Sequence, residues 1–197
     1  MPLIFVNLFS NFTFFLEDSI NGDQIKQQES RNLYGLNSKI TKRFNIGSAK
    51  SVFPAGVGAR NDQSFGNQLV HTRRRRYDLD TIQIGDINET NLSGYASLTS
   101  TIGKWVINPA IRADYFIFQL NDYQTLAYAT QSSHKTIVCP KLNIFYNQTE
   151  NLQFYLKGGK GFHSNDTRGV VAVQLDEALP AAYGADLGSI WKLNNKF

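Results

Sequence analysis

Trp105-Val106-Ile107-Asn108-Pro109-Ala110-Ile111-Arg112-Ala113-Asp114-Tyr115-Phe116-Ile117-Phe118-Gln119 is the stretch that decides the fold. Trp105, Ile107, Ile111, Ala113, Tyr115 and Ile117 share one parity, and Asn108, Arg112 and Asp114 share the other. A period of two puts successive side chains on opposite sides of an extended chain, so this is a strand with one apolar and one polar face. It is also long. About 9–11 residues suffice to cross a bilayer at a tilt, whereas strands of soluble sandwiches usually run about 3–10.

The same rhythm extends in both directions. Towards the N-terminus, Gly103-Lys104 forms a tight turn, and a strand over 87–101 places Leu92, Ala96 and Leu98 opposite Asn91, Ser93 and Thr99. Further upstream the alternation predicts strands over 6–17, 26–42 (Tyr34, Leu36 and Ile40 on one parity) and 51–60. Towards the C-terminus it predicts strands over 136–146, 152–163 and 180–193, with Leu187, Trp191 and Leu193 opposite Asp186, Gly188 and Lys192. The expected fold is therefore all-β, an antiparallel up-and-down meander of eight long strands.

Composition agrees. Aromatic residues make up 13% of the 197 residues and charged residues only 18%, while mean hydropathy is negative at -0.31. Few charges and many aromatics suit strands that show one face to lipid and one to water. No run of about 18 apolar residues predicts a membrane-crossing helix. The single Cys139 excludes an internal disulfide framework, and three scattered histidines offer no zinc spacing. The start, MPLIFVNLFSNFTFFLED, lacks a basic leader and a small-residue cleavage site, so an export signal is expected upstream of it.

Connections alternate in length. Residues 45–50, 103–104 and 147–151 are short, and residues 18–25, 62–86, 121–134 and 164–179 are long. Short turns on one side and long loops on the other are the pattern of outer-membrane barrels. This orients the first strand outward and puts Trp105, Tyr146 and Trp191 at the inner interface. The segment 62–86 is too long for a tight hairpin and is expected to be an exposed loop.

Specific strings sharpen this reading. Gly158-Gly159-Lys160-Gly161-Phe162-His163-Ser164-Asn165-Asp166-Thr167-Arg168 resembles the G-x-G-F-H-S-N-D-A-R segment of a subgroup of TonB-dependent receptors. Leu179-Pro180-Ala181-Ala182-Tyr183-Gly184-Ala185-Asp186-Leu187-Gly188 is similar to that family's L-P-x-A-x-G-x-E-x-G strand, with Asp186 in place of the usual Glu. Phe9-Ser10-Asn11-Phe12-Thr13, Asn21-Gly22-Asp23-Gln24, Glu89-Thr90-Asn91-Leu92 and Arg112-x-Asp114 fit in the same order along nearly the whole chain. The resemblance implies a barrel of about 22 strands with a plug in its lumen, an outer-membrane location, and active import of a scarce ligand driven by the TonB–ExbB–ExbD complex. On that reading residues 1–197 are a partial barrel domain without the plug, a middle section of the wall.

Lumen parity is expected for Asn11, Thr13, Glu17, Arg60, Asn91, Arg112, Asp114, Lys141, Asn143, Lys157, His163 and Asp186. Most of these should do no more than make a wet or plug-packed interior polar through cross-strand pairs. The residues expected to touch ligand are Arg60 and the outer-mouth segment His163, Asn165, Asp166 and Arg168. No metal site and no cofactor are expected. Arg73-Arg74-Arg75-Arg76 carries most of the net charge of +4 and is a candidate contact for lipopolysaccharide phosphates, with Asp78, Asp80, Asp86 and Glu89 balancing it. It lacks the interleaved aromatics that stack nucleic-acid bases. Gly158, Gly159 and Gly161 are read as allowing close approach of another backbone, such as the plug. No nucleophile–base constellation is legible, so no enzyme is expected. Two other architectures remain open on residues alone. One is a closed eight-stranded porin or adhesin, whose interior side chains must fill it. The other is a glycan-binding β-sandwich, which needs two sheets.

Overall fold

The computed structural model describes residues 4–124, 130–165, 167–172 and 178–193. They form one antiparallel sheet. In chain order its strands are β1 (Ile4–Phe9), β2 (Ile25–Ile46), β3 (Ala49–Arg73), β4 (Tyr77–Ser97), β5 (Thr99–Ile102), β6 (Trp105–Asp122), β7 (Gln131–Asn147), β8 (Leu152–Phe162) and β9 (Ala181–Trp191). The strands pair in chain order except that β4 and β5 do not pair with each other; β5 carries on the line of β4, and both lie between β3 and β6. The break at Leu98 has a local cause. Its neighbour across the ladder is Pro109, which has no N–H to donate. The Leu98 carbonyl instead accepts a hydrogen bond from the side-chain Nδ2 of Asn108 (3.4 Å), and the Leu98 N–H donates to the Pro109 carbonyl (3.0 Å). Counted as lines of strand, the meander has eight positions.

Register fixes the two faces, because directly paired residues lie on the same side. Arg60 pairs with Asn91, Asn91 with Phe116, Ser93 with Asp114, Ala110 with Lys141, Asn143 with Lys157, and Lys157 with Asp186. These residues therefore share one face, called the inner face below. The outer face carries Leu36, Ile40, Val57, Ile111, Leu142, Leu156 and Leu187, all exposed. Trp105 and Tyr146 pair across β6 and β7 with ring centroids 4.6 Å apart, beside the short turns. At the other end, outer-face polarity returns: Asn61 Nδ2 donates to Asn88 Oδ1 (2.6 Å) and Thr90 Oγ1 (2.8 Å), and Asn88 Nδ2 to Gln119 Oε1 (3.0 Å).

Three expectations are corrected. The first strand stops at Phe9 rather than running to Glu17, so Asn11, Thr13 and Glu17 hold no lumen parity. Residues 10–24 are a folded loop instead. Asp23 accepts hydrogen bonds from the N–H groups of Leu16, Glu17 and Asp18, and Thr13 Oγ1 accepts one from Gln24. Second, 62–86 is not an open loop. β3 and β4 stay paired out to Arg73 and Tyr77, leaving only Arg74–Arg76 as a turn. Third, 163–180 contains a short helix, α1 (Thr167–Ala172), that folds back onto the inner face.

The main apolar cluster lies under that helix. Val170, Val171 and Ala178 cover Phe116, Phe118 and Leu120 of β6, with Ile87, Phe162 and Leu179 at its margin. Phe118 is fully buried. It stacks on Phe116, which meets Phe162 edge-on. Burying each such side chain is worth about 1.5–3 kcal/mol, which explains why the segment that carries Val170, Val171 and Ala178 turns inward. Pairing of β7 with β8 stops at Lys141–Gly159, one residue short of Pro140, which cannot donate to a ladder.

Candidate functional site

Two hollows lie side by side on the inner face. The larger, about 420 Å³, is floored by β2, β3, β4 and β6 and rimmed by Phe162 and Ser164. The smaller, about 280 Å³, lies between β2–β4 and the segment Ser164, Asn165, Thr167 and Arg168. Arg60, Glu89 and Ser164 border both.

The smaller hollow is a charge-matched polar basin. Glu29 is buried and accepts hydrogen bonds from Ser64 Oγ (3.0 Å) and Asn67 Nδ2 (3.1 Å) while pairing with Arg31 (3.0 Å). Asp62 pairs with Arg60 (3.0 Å) and Arg31 (3.4 Å). From above, Thr167 Oγ1 donates to Glu89 Oε2 (3.2 Å) and Arg168 Nη1 to Asn67 Oδ1 (3.3 Å). The start of α1 is thus tied to β3 and β4 by polar contacts and to β6 by apolar ones. A β-bulge across Ser64–Asn67 turns Asn67 back to the same face as Ser64.

In the larger hollow, Arg112 grips Asp114 with two hydrogen bonds of 2.7 Å, and Asn91 Nδ2 adds a third at 3.1 Å. Asp114 is 1% exposed and Arg112 52%, so the carboxylate is spent structurally and the guanidinium edge faces the hollow. Nearer the short-turn end, Asn143 Nδ2 donates to Asn108 Oδ1 (2.9 Å), and the Lys157 ammonium lies 4.3 Å from the Tyr155 ring centroid. Such a cation over an aromatic face is held electrostatically.

Of the residues expected to touch ligand, the structure brings three together. Arg60, Asn165 and Arg168 line the smaller hollow. His163 follows β8, is exposed, lines neither hollow, and donates its backbone N–H to the Pro180 carbonyl (3.4 Å). Asp166 lies outside the described residues. Arg112 and Asp114 border the larger hollow; Asn143, Lys157 and Asp186 share its face but lie away from it. Sequence reading missed Glu29, Arg31, Asp62, Asn67 and Glu89. A usable signal was present, since Glu29/Arg31 and Arg60/Asp62 are each spaced by two, the spacing that keeps both charges on one face of a strand. A Cβ at Gly161 would meet nothing within 4 Å, so no close backbone neighbour occupies that position among the described residues.

The arginine run is the apex of the β3–β4 hairpin. Arg74 and Arg75 take φ of 54° and 55°, and the Arg76 N–H donates to the Arg73 carbonyl (3.2 Å). The expected balancing by nearby acids is overturned. Asp78 pairs with Lys26 (3.1 Å) and Asp80 with His71 (3.1 Å); Asp86 accepts from Tyr123 Oη and Gly66 N; Glu89 faces Thr167. Below the apex, His71 Nε2 donates to the Gly22 carbonyl (2.6 Å), with Asp18 Oδ2 4.0 Å away. The Gly22 carbonyl and Asp80 raise the His71 pKa. Asp18 is held at about 2, first by the Asn21 N–H, then by the Asn21 side chain and the Ile20 N–H.

Among the described residues, no group of three His, Cys, Asp or Glu side chains is placed to hold a metal ion. No helix is long and apolar enough to cross a membrane, which says nothing of crossing by strands.

An antiparallel meander with an apolar outer face, aromatics beside its short turns and a polar inner face has the pattern of a β-barrel wall. The chain belongs to the TonB dependent receptor-like β-barrel family, whose model matches residues 5–185. Barrels of this family are outer-membrane proteins, and the family is one of receptors and transporters rather than enzymes. Among solved structures, the chain is similar to the unliganded ferric citrate transporter FecA, at 16% identity and a TM-score of 0.72, over 85% of this chain and 26% of that one. It is also similar to the ferric-catecholate import receptor Fiu of E. coli K12, at 14% identity and a TM-score of 0.64, over 98% of this chain and 34% of that one. The chain thus spans about a quarter to a third of these structures. At such identities the likeness is one of fold. No curated protein matches the sequence.

Proposed function

We propose that residues 1–197 are a partial barrel domain, a stretch of wall from a TonB-dependent receptor that binds a scarce ligand outside the cell and imports it to the periplasm. The observation that carries this is the inner-face basin, where Arg60 of β3 and Asn165 and Arg168 of the 163–180 segment meet around one hollow at the loop end of the wall. A ferric chelate is the favoured cargo, because both solved relatives are described as moving one; haem, a vitamin or an oligosaccharide are the alternatives. The remaining partners on this reading are a plug and further strands of the same full-length chain, the TonB–ExbB–ExbD complex, and lipopolysaccharide through Arg73–Arg76.

The incompleteness has physical support. Among the described residues the sheet path ends at β1 and β9, which do not pair with one another. Open edges are not tolerated in lipid, which supports further strands on either side. The same open path argues against a closed eight-stranded barrel, and the single sheet argues against a sandwich.

The test is growth of a receptor-deficient strain, complemented with the full-length gene, on a panel of ferric chelates, haem, vitamins and glycans. Rescue on one class, lost in Arg60→Ala and Arg168→Ala, is the expected result. Rescue that both variants leave unchanged would remove the basin from ligand binding, and no rescue on any class would overturn the receptor reading.

A further inference from the structure

We infer that the Arg73–Arg76 apex is a docking point for phosphate-bearing sugars standing above the membrane, the phosphorylated core of the outer leaflet's glycolipid, and not for the phosphates at the membrane surface. The inference rests on the outer-membrane reading given above.

The first support is unspent charge. Among the described residues no carboxylate pairs with any of the four arginines, although Asp78 and Asp80 lie within a few residues. Lys26 and His71 take those acids. All four arginines are exposed. Four guanidiniums without local counter-charge attract anions and bind phosphate bidentately.

The second support is rigidity. A solvated charge run on a floppy loop would show no fixed base. Here Thr72 is fully buried and its N–H donates to the Gln24 carbonyl (2.7 Å). The buried Gln24 side chain accepts the Arg75 N–H (2.6 Å), and Arg75 Nη2 reaches the Ser10 carbonyl (3.4 Å). The apex also keeps arginine at two left-handed positions where Asn-Gly is the favoured pair. Local strain retained on a fixed scaffold marks a segment selected for what it presents.

Height and shape choose the partner. On β3 the outer face is polar at Asn61 but still shows an exposed ring at Phe65, whose partner Ser30 pairs with the exposed Phe5, so the lipid-facing band is carried up to Phe65. Arg74 lies about 9 residues further along the chain. At about 3.3 Å per residue and a tilt of about 45°, the apex stands roughly 20 Å above that edge. The headgroup layer is only about 5–7 Å thick on each side, so surface phosphates are out of reach. The apex is convex, whereas small-molecule sites are concave. An extended chain bearing several phosphates fits a convex multi-arginine tip; a compact chelate does not.

The test uses the full-length chain in detergent micelles, titrated with lipid-free phosphorylated core oligosaccharide. The comparison variant is Arg74→Asn with Arg75→Gly, which suits the turn and keeps the hairpin. We expect binding that weakens with added salt, falls about tenfold or more in the double variant, and is lost when the oligosaccharide is dephosphorylated. Equal binding by wild type and variant would overturn the proposal. So would competition by lipid A vesicles, inorganic tripolyphosphate or a single-stranded oligonucleotide as effective as the core glycan. Arg60→Gln should leave core binding intact. Loss of ligand rescue in Arg60→Ala with failed glycan binding would sink this inference and spare the receptor reading, and the converse pattern would do the opposite.

Discussion

Residues 62–86 and residues 164–179 both read as long connections at the same end of the wall, yet one stands outward and the other folds inward. The first remains a ribbon to its tip, with β3 paired to β4 from Ser64–Ile87 to Arg73–Tyr77 and flanked by β2 as far as Ile25–His71. The second breaks from the sheet and lays α1 across β6. The difference teaches that what lies beneath a segment decides its path. The ribbon has the 10–24 loop beside it, which supplies hydrogen-bond partners such as the Gln24 and Gly22 carbonyls. The inward segment has an apolar patch, Phe116, Phe118 and Leu120, which its own Val170, Val171 and Ala178 cover.

The contrast can be broken most forcefully at Phe118. Replacing this fully buried ring by alanine should cost about 3–5 kcal/mol. Residues 163–172 should then show faster amide exchange and protease nicking, while the β3–β4 ribbon keeps its protection. A ribbon that loosens equally would show that the two regions are one cooperative unit. The second effect should come from Arg112→Met, which strands the Asp114 carboxylate with Asn91 alone and should destabilise by about 3 kcal/mol. Asp114→Asn should cost less, and denaturant titration of both variants checks the order.

A smaller change of opposite sign is expected at the ribbon tip. Arg74→Gly removes a left-handed arginine and should stabilise the chain by about 1 kcal/mol. The midpoint of denaturant unfolding should rise as core-glycan binding falls. The smallest effect is on pH. The folded pKa of His71 is raised, so its stabilising contribution is complete below its unfolded value of about 6.5 and is lost as pH rises through the folded value. Asp18 contributes above its unfolded value of 3.8 and loses that contribution as pH falls towards about 2. Protection of residues 18–24 should therefore be greatest between about pH 4 and 6.5 and decline at higher pH. In His71→Gln the decline on the alkaline side should vanish, which amide exchange across pH 5–9 would show.

Much of the wall was legible because period two is a local property. Ile111, Leu142 and Leu187 declare an outer face with no knowledge of their neighbours, and Gly103-Lys104 ends a strand wherever it stands. The ribbon beyond Arg60 was not legible. Irregularities at Ser64/Asn67, Leu69/Val70 and His71/Thr72 shift the parity, so alternation breaks although pairing continues. The continuation past Phe9 misled for the opposite reason. Phe12, Phe14 and Leu16 keep an alternating pattern, but Asp23 gathers the N–H groups of residues 16–18 into a loop. Arg60, Asn165 and Arg168 could be singled out by type and place, while Glu29, Arg31 and Glu89 enter the basin only through register.

By itself, then, the sequence determined the class of fold, the two faces and the order of strands, because alternation and turn chemistry act over a few residues. Only tertiary structure decided which long connection rises and which turns in, and which polar side chains from distant strands meet. Those outcomes depend on contacts between residues such as Arg168 and Asn67, or Lys26 and Asp78, far apart along the chain and set together by strand register and by the burial of one apolar patch.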